Sequence, residues 1–351
     1  MKKLLHILFS ILILVLFSCD NGKIDKKSTQ NLSDSTTKNK GKSIYYSKMK
    51  VLKSVYVIER QGIEIKQEAD EDSKTLGTYK YAQHLEVIED NEKWLGVRER
   101  NTSKVYVLKR QTGTIDDVIL TPSNLNRIFS VTIDGQTGEA VAHLDNNERL
   151  KNYLTLELID QQLFDSKKNT SVEFLLADTT IIKKKNRTIQ LKCQKKVVTY
   201  IDAPEGSMDI RHFDYVGQVP IFNAYLIRGG YYERSNYKFI DKISGKETQT
   251  FVNYPNISTN KKHIICIHAN PYGRSADLQL FSIRGTQIRL IATLSFINWM
   301  PKMNQEDKLG RSEVFWSNDG YLYVRANHSN AFWGEDGGYN KKSQYIRIKV
   351  L

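Results

Sequence analysis

The chain has 351 residues, 40% of them hydrophobic and 26% charged. That balance excludes a disordered polymer and leaves room for two domains of ordinary size. A formal net charge of +13 favours anionic neighbours, through long-range attraction that salt screens.

The first residues read as a targeting segment. Lys2 and Lys3 open it, and residues 4–17 form an apolar run shorter than the ~20 residues a spanning helix needs. No later apolar run is long enough to span a bilayer. Leu16-Phe17-Ser18-Cys19 resembles the lipobox of bacterial lipoproteins. The resemblance implies that residues 1–18 are removed as a signal peptide and that Cys19 carries diacylglycerol, often with a further acyl chain on its new amine. Two or three chains anchor stably where one is marginal, because each buried CH₂ adds roughly 0.8 kcal/mol. An ordinary secretory signal with an accidental cysteine is the alternative. Asp20 alone resembles an inner-membrane retention signal. The Lys-, Asn-, Ile- and Tyr-heavy composition instead resembles Bacteroidota envelope lipoproteins, which implies the outer membrane, facing the periplasm or the surface. Such a location excludes nucleic acid. It leaves the bilayer as one partner, and peptidoglycan, another glycan or a protein as the second. No cofactor is expected beyond the covalent lipid on Cys19.

Residues 20–43 are nearly all polar, with Ile24 and Leu32 the only aliphatics. They cannot bury enough apolar surface to offset their ordering entropy. With Cys19 they form a flexible tether (19–43) whose reach is about 25–30 Å, at ~5–6 Å times the square root of its length.

Over 51–113, short β-branched or aromatic runs at 55–58, 62–66, 85–88, 94–98 and 105–108 alternate with polar breaks at 70–73 and 90–92. Five short strands without a helix predict a small barrel. The stretch resembles the bacterial SH3-like domain. The match is carried by Gly62-Ile63-Glu64-Ile65-Lys66, the loop Asp70-Glu71-Asp72-Ser73, Leu76-Gly77-Thr78, Leu85-Glu86-Val87-Ile88, Trp94-Leu95-Gly96-Val97 and Val105-Tyr106-Val107. It covers under a fifth of the chain. It departs from the family at Lys66-Gln67, where an arginine is usual, at the loop without its proline, and at a missing glycine before the last strand. The resemblance implies either a binder of cell-wall peptides, with Trp94 as a contact, or a spacer.

Residues 114–170 form a connecting segment. Asp145-Asn146-Asn147-Glu148 has the form of a capping box, and Leu150, Tyr153, Leu154, Leu156, Leu158 and Ile159 follow, predicting a helix over 146–164. A strand at 153–159 is the alternative.

Strand signals return over 171–351, at 172–176, 188–193, 196–201, 224–227, 237–240, 263–268, 278–283, 287–294, 321–326 and 345–350. Turns at Ser244-Gly245-Lys246, Arg284-Gly285-Thr286 and Asn318-Asp319-Gly320 punctuate them. The last is a strong hairpin signal, because glycine supplies the positive φ of a tight turn. A loose repeat pairs 239–246 and 255–263 with 281–286 and 315–321, and its order resembles the blades of β-propellers. The predicted fold class is therefore mainly β: a small SH3-like barrel, then a larger propeller-like or sandwich domain, with one or two short helices.

Candidate sites are few. The loop 327–339 joins two strands and carries Trp333, Tyr339, Glu335 and Asp336 among glycines. Its aromatics suit stacking on a sugar or gripping a protein, with the carboxylates as acceptors, and long loops on a rigid β scaffold are where binding concentrates. Its acidic residues lack the alternate spacing of a calcium loop, and adjacent carboxylates cannot flank a glycosidic bond. Cys193 and Cys266 are a candidate disulfide pair in an oxidising compartment, or two buried thiols. On a strand Cys266 and His268 share a face while His263 points away; two ligands do not make a closed zinc site, and no metal is expected. Asp202, Glu205, Asp209, His212 and Asp214 read as a solvated acidic loop. No Gly-x-Ser-x-Gly, phosphate loop or His-Glu-x-x-His occurs. The expectation is a non-enzymatic binding or scaffold lipoprotein. The alternatives are an immunity lipoprotein that neutralises a toxin, and a cell-wall or glycan hydrolase.

Overall fold

The computed structural model describes residues 49–100, 103–133, 141–145, 152–208, 210–232, 234–304, 307, 309, 311–334 and 336–351. The leader 1–18, Cys19, the tether 20–43, Asp209 and Glu335 lie outside them. The chain divides into two units, Met1–Ile44 and Tyr45–Leu351, and every described residue belongs to the second.

In chain order the elements are β1 (Lys53–Val57), β2 (Ile63–Lys66), β3 (Thr75–Tyr79), β4 (His84–Asp90), β5 (Trp94–Arg100), β6 (Ser103–Leu108), β7 (Thr112–Gly113), α1 (Pro122–Leu125), β8 (Ile128–Ile133), β9 (Val141–Asp145), β10 (Leu154–Ile159), α2 (Gln161–Lys168) and β11 (Ser171–Val172). There follow β12 (Thr188–Lys192), β13 (Val197–Ile201), β14 (Arg211–Val219), β15 (Ala224–Tyr231), β16 (Ser235–Asp241), β17 (Glu247–Phe251), β18 (Asn256–Ile257) and β19 (His263–Asn270). The last are β20 (Ser275–Arg284), β21 (Gln287–Phe296), β22 (Trp299–Pro301), β23 (Val314–Ser317), β24 (Leu322–His328) and β25 (Gln344–Val350). The protein is mainly β, with two short α-helices among the described residues.

The N-terminal sheet has the order β3-β2-β6-β5-β4-β1-β7. Alternate residues of its first six strands, including Val57, Ile65, Val87, Leu95, Val97 and Val107, meet in one core, so the sheet curls over itself. The expected barrel does not close. The edge strands β3 and β7 do not pair with each other, and the β2–β3 hairpin joins the rest through a single register pair, Lys66 opposite Tyr106.

Three further antiparallel sheets stack face to face. β14-β15-β16-β17 is a four-stranded meander; β18-β19-β20-β21 is a second, extended by β8 and β9; β10-β25-β24-β23-β11 is the third. Alternation along each strand sends successive side chains to opposite cores. On β15 Leu226 faces the middle sheet's Ile264, Cys266 and Phe281, whereas Tyr225 and Ile227 face Ile189 and Leu191 of the β12–β13 hairpin. On β19 Ile265 and Ile267 turn instead to Leu322, Val324, Ile346 and Ile348 of the third sheet. The outer face of that sheet packs Tyr323 and Tyr345 on Phe164 of α2. Each meander has the up-and-down order of a propeller blade. A hairpin covers one end of the stack and a helix the other, so the layers pack like a doubled sandwich.

The helix expected over 146–164 is not formed as such. Residues 146–151 lie outside the described residues, 154–159 is strand β10, and a helix begins only at Gln161. Leu154 and Leu156 alternate into the core while Thr155 and Glu157 are exposed, a period of two that β10 satisfies by pairing along its whole length with β25. Asp160 then starts α2, its Oδ1 accepting the Leu163 N–H at 2.7 Å. The acidic stretch read as a loop also differs, because residues 211–219 form β14.

Candidate functional site

Residues 332–334 and 336–340 close into a small hairpin. Gly334 N–H donates to the Gly338 carbonyl at 2.7 Å, Gly337 N–H to the Gly334 carbonyl at 3.1 Å, and Asn340 N–H to the Phe332 carbonyl at 3.0 Å. Trp333 and Tyr339 sit opposite each other in an antiparallel bridge. Their rings stack, with centroids 4.8 Å apart and planes at 18°. Phe332 stands edge-on to both, at 5.0 and 5.2 Å. It is fully buried, whereas Trp333 is 43% exposed. The Tyr339 hydroxyl reaches Met303 Sδ at 2.8 Å, and burial pushes its pKa up. Asp336 Oδ1 accepts the Gly338 N–H at 2.9 Å, so this carboxylate is partly spent on shaping its own turn.

Beneath the hairpin lies a cavity of about 630 Å³, inside the ~300–1,000 Å³ range of small-molecule sites. Phe332, Tyr339 and Met303 form one wall. β15 and β16 with their turn bring Arg228, Arg234, Asn236 and Tyr237, and β19 brings His268. Three of these side chains carry a buried atom without a hydrogen-bond partner: Arg228 Nε, Asn236 Oδ1 and His268 Nδ1. Leaving such an atom unpaired costs about 1–3 kcal/mol. Elsewhere among the described residues only Arg98 Nε and Asn327 Oδ1 share that condition.

Arg228 is held in place by its Nη1, which lies 3.2 Å from both Asp214 Oδ2 and His212 Nε2. Gly230, paired with His212 across the strands, makes room for the imidazole, since a Cβ there would stand 2.0 Å from the ring. His268 lies on the face of Cys266, as strand alternation requires. Burial holds its pKa below the usual histidine range, against the opposing pull of Asp277, whose Oδ2 is 4.0 Å from Nε2. The ring is neutral at pH 7.

A smaller cavity of about 190 Å³ holds Glu173, Asp307 and Glu313. The Tyr254 hydroxyl donates to Glu173 Oε2 at 3.0 Å. Burial pulls both Asp307 and Glu313 upward. The hydrogen bonds from Arg311 to Asp307, and from Lys168 and Arg325 to Glu313, nevertheless hold the two below the usual carboxylate range.

The other expected residues lie apart from this site. Trp94 is buried and lines a separate hollow of about 260 Å³ on the N-terminal sheet, with Glu64, Lys66, Glu71 and Arg110. Cys193 and Cys266 are free thiols. They belong to different cores, Cys266 between the two meanders and Cys193 against the β12–β13 hairpin. Among the described residues no three His, Cys, Asp or Glu side chains are placed to hold a metal ion. Asp202 and Asp214 are committed to a charged ladder, 2.7 and 3.5 Å from Lys184 Nζ. Of the residues singled out in the sequence, Tyr339 lines the cavity and Trp333 stacks on it, whereas Arg228, Arg234 and Asn236 were not singled out. The available signal was Arg228-Gly229-Gly230, a charge and two glycines interrupting an apolar strand. Neither a protein-family model nor a curated protein matches the chain.

Proposed function

We propose that this protein is a lipid-anchored envelope lipoprotein that binds a cell-wall, glycan or protein partner through the cavity beneath the Trp333–Tyr339 step. One observation carries the reading: the aromatic hairpin and three unsatisfied buried polar atoms border the same cavity. A second argues against a carboxylate acid–base pair. Such a pair asks for one carboxyl poised near neutral pH, whereas Asp307 and Glu313 are both held below the usual carboxylate range. The SH3-like resemblance of the N-terminal sheet fits an accessory wall contact or a spacer, with Trp94 in its own hollow. Cys19 acts as the lipid attachment point, on the outer membrane. Among the described residues no helix is long and apolar enough to cross a bilayer.

The test is capture of partners from detergent-solubilised envelopes. Trp333→Ala is expected to lower recovery at least tenfold, as losing a central aromatic contact does, while the melting temperature stays put. Equal recovery would remove the Trp333–Tyr339 step from the reading. In the same cells Cys19→Ser is expected to leave the membrane fraction; firm membrane association of that variant would remove the anchor.

A further inference from the structure

We infer that the cavity binds an acidic saccharide, a sugar carrying a carboxylate, with Arg234 as its principal charge contact. The inference rests on the binding reading above and narrows it to a ligand class. Its first support is charge. Arg228 and Arg234 bring positive charge to the cavity, His268 lines it as a neutral ring, and no carboxylate lines it among the described residues. Arg228 is already engaged by Asp214. Arg234 is exposed, on the turn between β15 and β16, and has no ion pair with a described residue. A guanidinium offers a planar fork that fits a carboxylate bidentately.

The second support is the neutral lining. Ser235, Asn236, Asn253 and Ser312 line the cavity with hydroxyl- and amide-bearing side chains. An apolar peptide side chain would strand these groups, whereas a polyhydroxylated ring can pair with them. The C–H faces of the same ring suit an aromatic surface such as Tyr339.

The third support is the rim. Tyr232, on the β15–β16 turn, is 76% exposed; Tyr272, beside Pro271 on the β19–β20 turn, is 93% exposed. Arg274 ties that second turn to Asn330, Nη1 to Oδ1 at 3.5 Å. Tyr232 and Tyr272 thus lie on the turns that supply the lining residues Arg234 and Pro271, and Trp333 adjoins the lining residue Phe332. Such rings offer stacking platforms on which a chain of sugars can extend beyond the cavity.

The test uses the full-length protein in detergent on an array of paired oligosaccharides. Members terminated by uronic, muramic or sialic acid are printed beside their neutral counterparts and beside acidic peptides. At least one acidic sugar is expected to be retained tenfold or more above its neutral partner, and Arg234→Gln is expected to abolish that preference. Because Arg234 is exposed, the substitution leaves folding intact. Trp333→Ala is expected to weaken acidic and neutral members alike. Retention of neutral sugars as strongly as acidic ones, of peptides alone, or of nothing overturns the inference, as does a preference that Arg234→Gln leaves unchanged. If envelope capture still depends on Trp333 in those cases, the binding reading stands while the saccharide assignment falls.

Discussion

His328 closes β24 at 5% exposure, its Nδ1 accepting the Asn330 N–H at 3.2 Å. Burial, with a smaller push from Arg60, lowers its pKa to about 4. An unfolded chain would titrate this ring near 6.5. The folded form therefore resists a proton that the unfolded form accepts. The cost is absent above pH 6.5, grows as pH falls, and levels off below about 4 at roughly 3 kcal/mol. His263 and His268, also lowered by burial, pull the same way. Urea unfolding at pH 7 and pH 5 is expected to show a loss of stability in the native protein, and a clearly smaller loss in His328→Asn. An equal loss in both would mean that His328 does not carry the effect. Nothing in Asn327-His328-Ser329 announced this, because part of the cover is distant in sequence: the ring of Tyr81, on the turn between β3 and β4, meets the imidazole edge-on at 5.6 Å. Trp333 and Tyr339 were legible because exposed aromatics among glycines stand out locally. Arg234 and His268 were not, since a cavity that joins residues of β16, β19 and the 332–340 hairpin has no local signature.

Elements dense in β-branched and aromatic residues were readable. The runs at 188–193, 237–240, 263–268, 321–326 and 345–350 correspond to β12, β16, β19, β24 and β25. The Asp319-Gly320 turn forms with φ +82° at Gly320, whose N–H donates to the Ser317 carbonyl at 3.0 Å. The loose repeat also has a structural meaning. Its first copy leaves β16 and enters β18, and its second leaves β20 and enters β23, so each marks the chain's passage from one sheet to the next. The segment 146–164 misled because a helix start and a strand were read as one element. Aliphatics at both 154 and 156 alternate, and Asp160 supplies the cap for a shorter helix beyond them. That cap can be weighed. Asp160→Ala is expected to lower stability by about 0.5–2 kcal/mol in urea titration, and an unchanged midpoint would deny Asp160 its role. Because α2 shields Tyr323 and Tyr345 through Phe164, an increase in tyrosine exposure should accompany the loss.

At the scale of the whole molecule the layers depend on strands distant in sequence. β8 and β9, from the connecting segment, extend the middle sheet beside β21, and β25 lies between β10 and β24. Deleting residues 344–351 removes that central neighbour and uncovers Leu154, Leu156, Leu322 and Val324. The shortened chain is expected to lose cooperative unfolding and to be cut readily by protease at low concentration, and a sharp transition would contradict the stacking order.

The seam between β10 and β25 sets a schedule. Glu157 and Arg347, joined across it at 2.8 Å, are 190 residues apart. Made at ~5–20 residues per second, the nascent polypeptide carries β10 for roughly 10–40 s before its neighbour exists. For that interval Leu154 and Leu156 have no sheet to join. The third layer zips shut only when nearly all of the described chain has emerged, so the fold completes late and in one closing step.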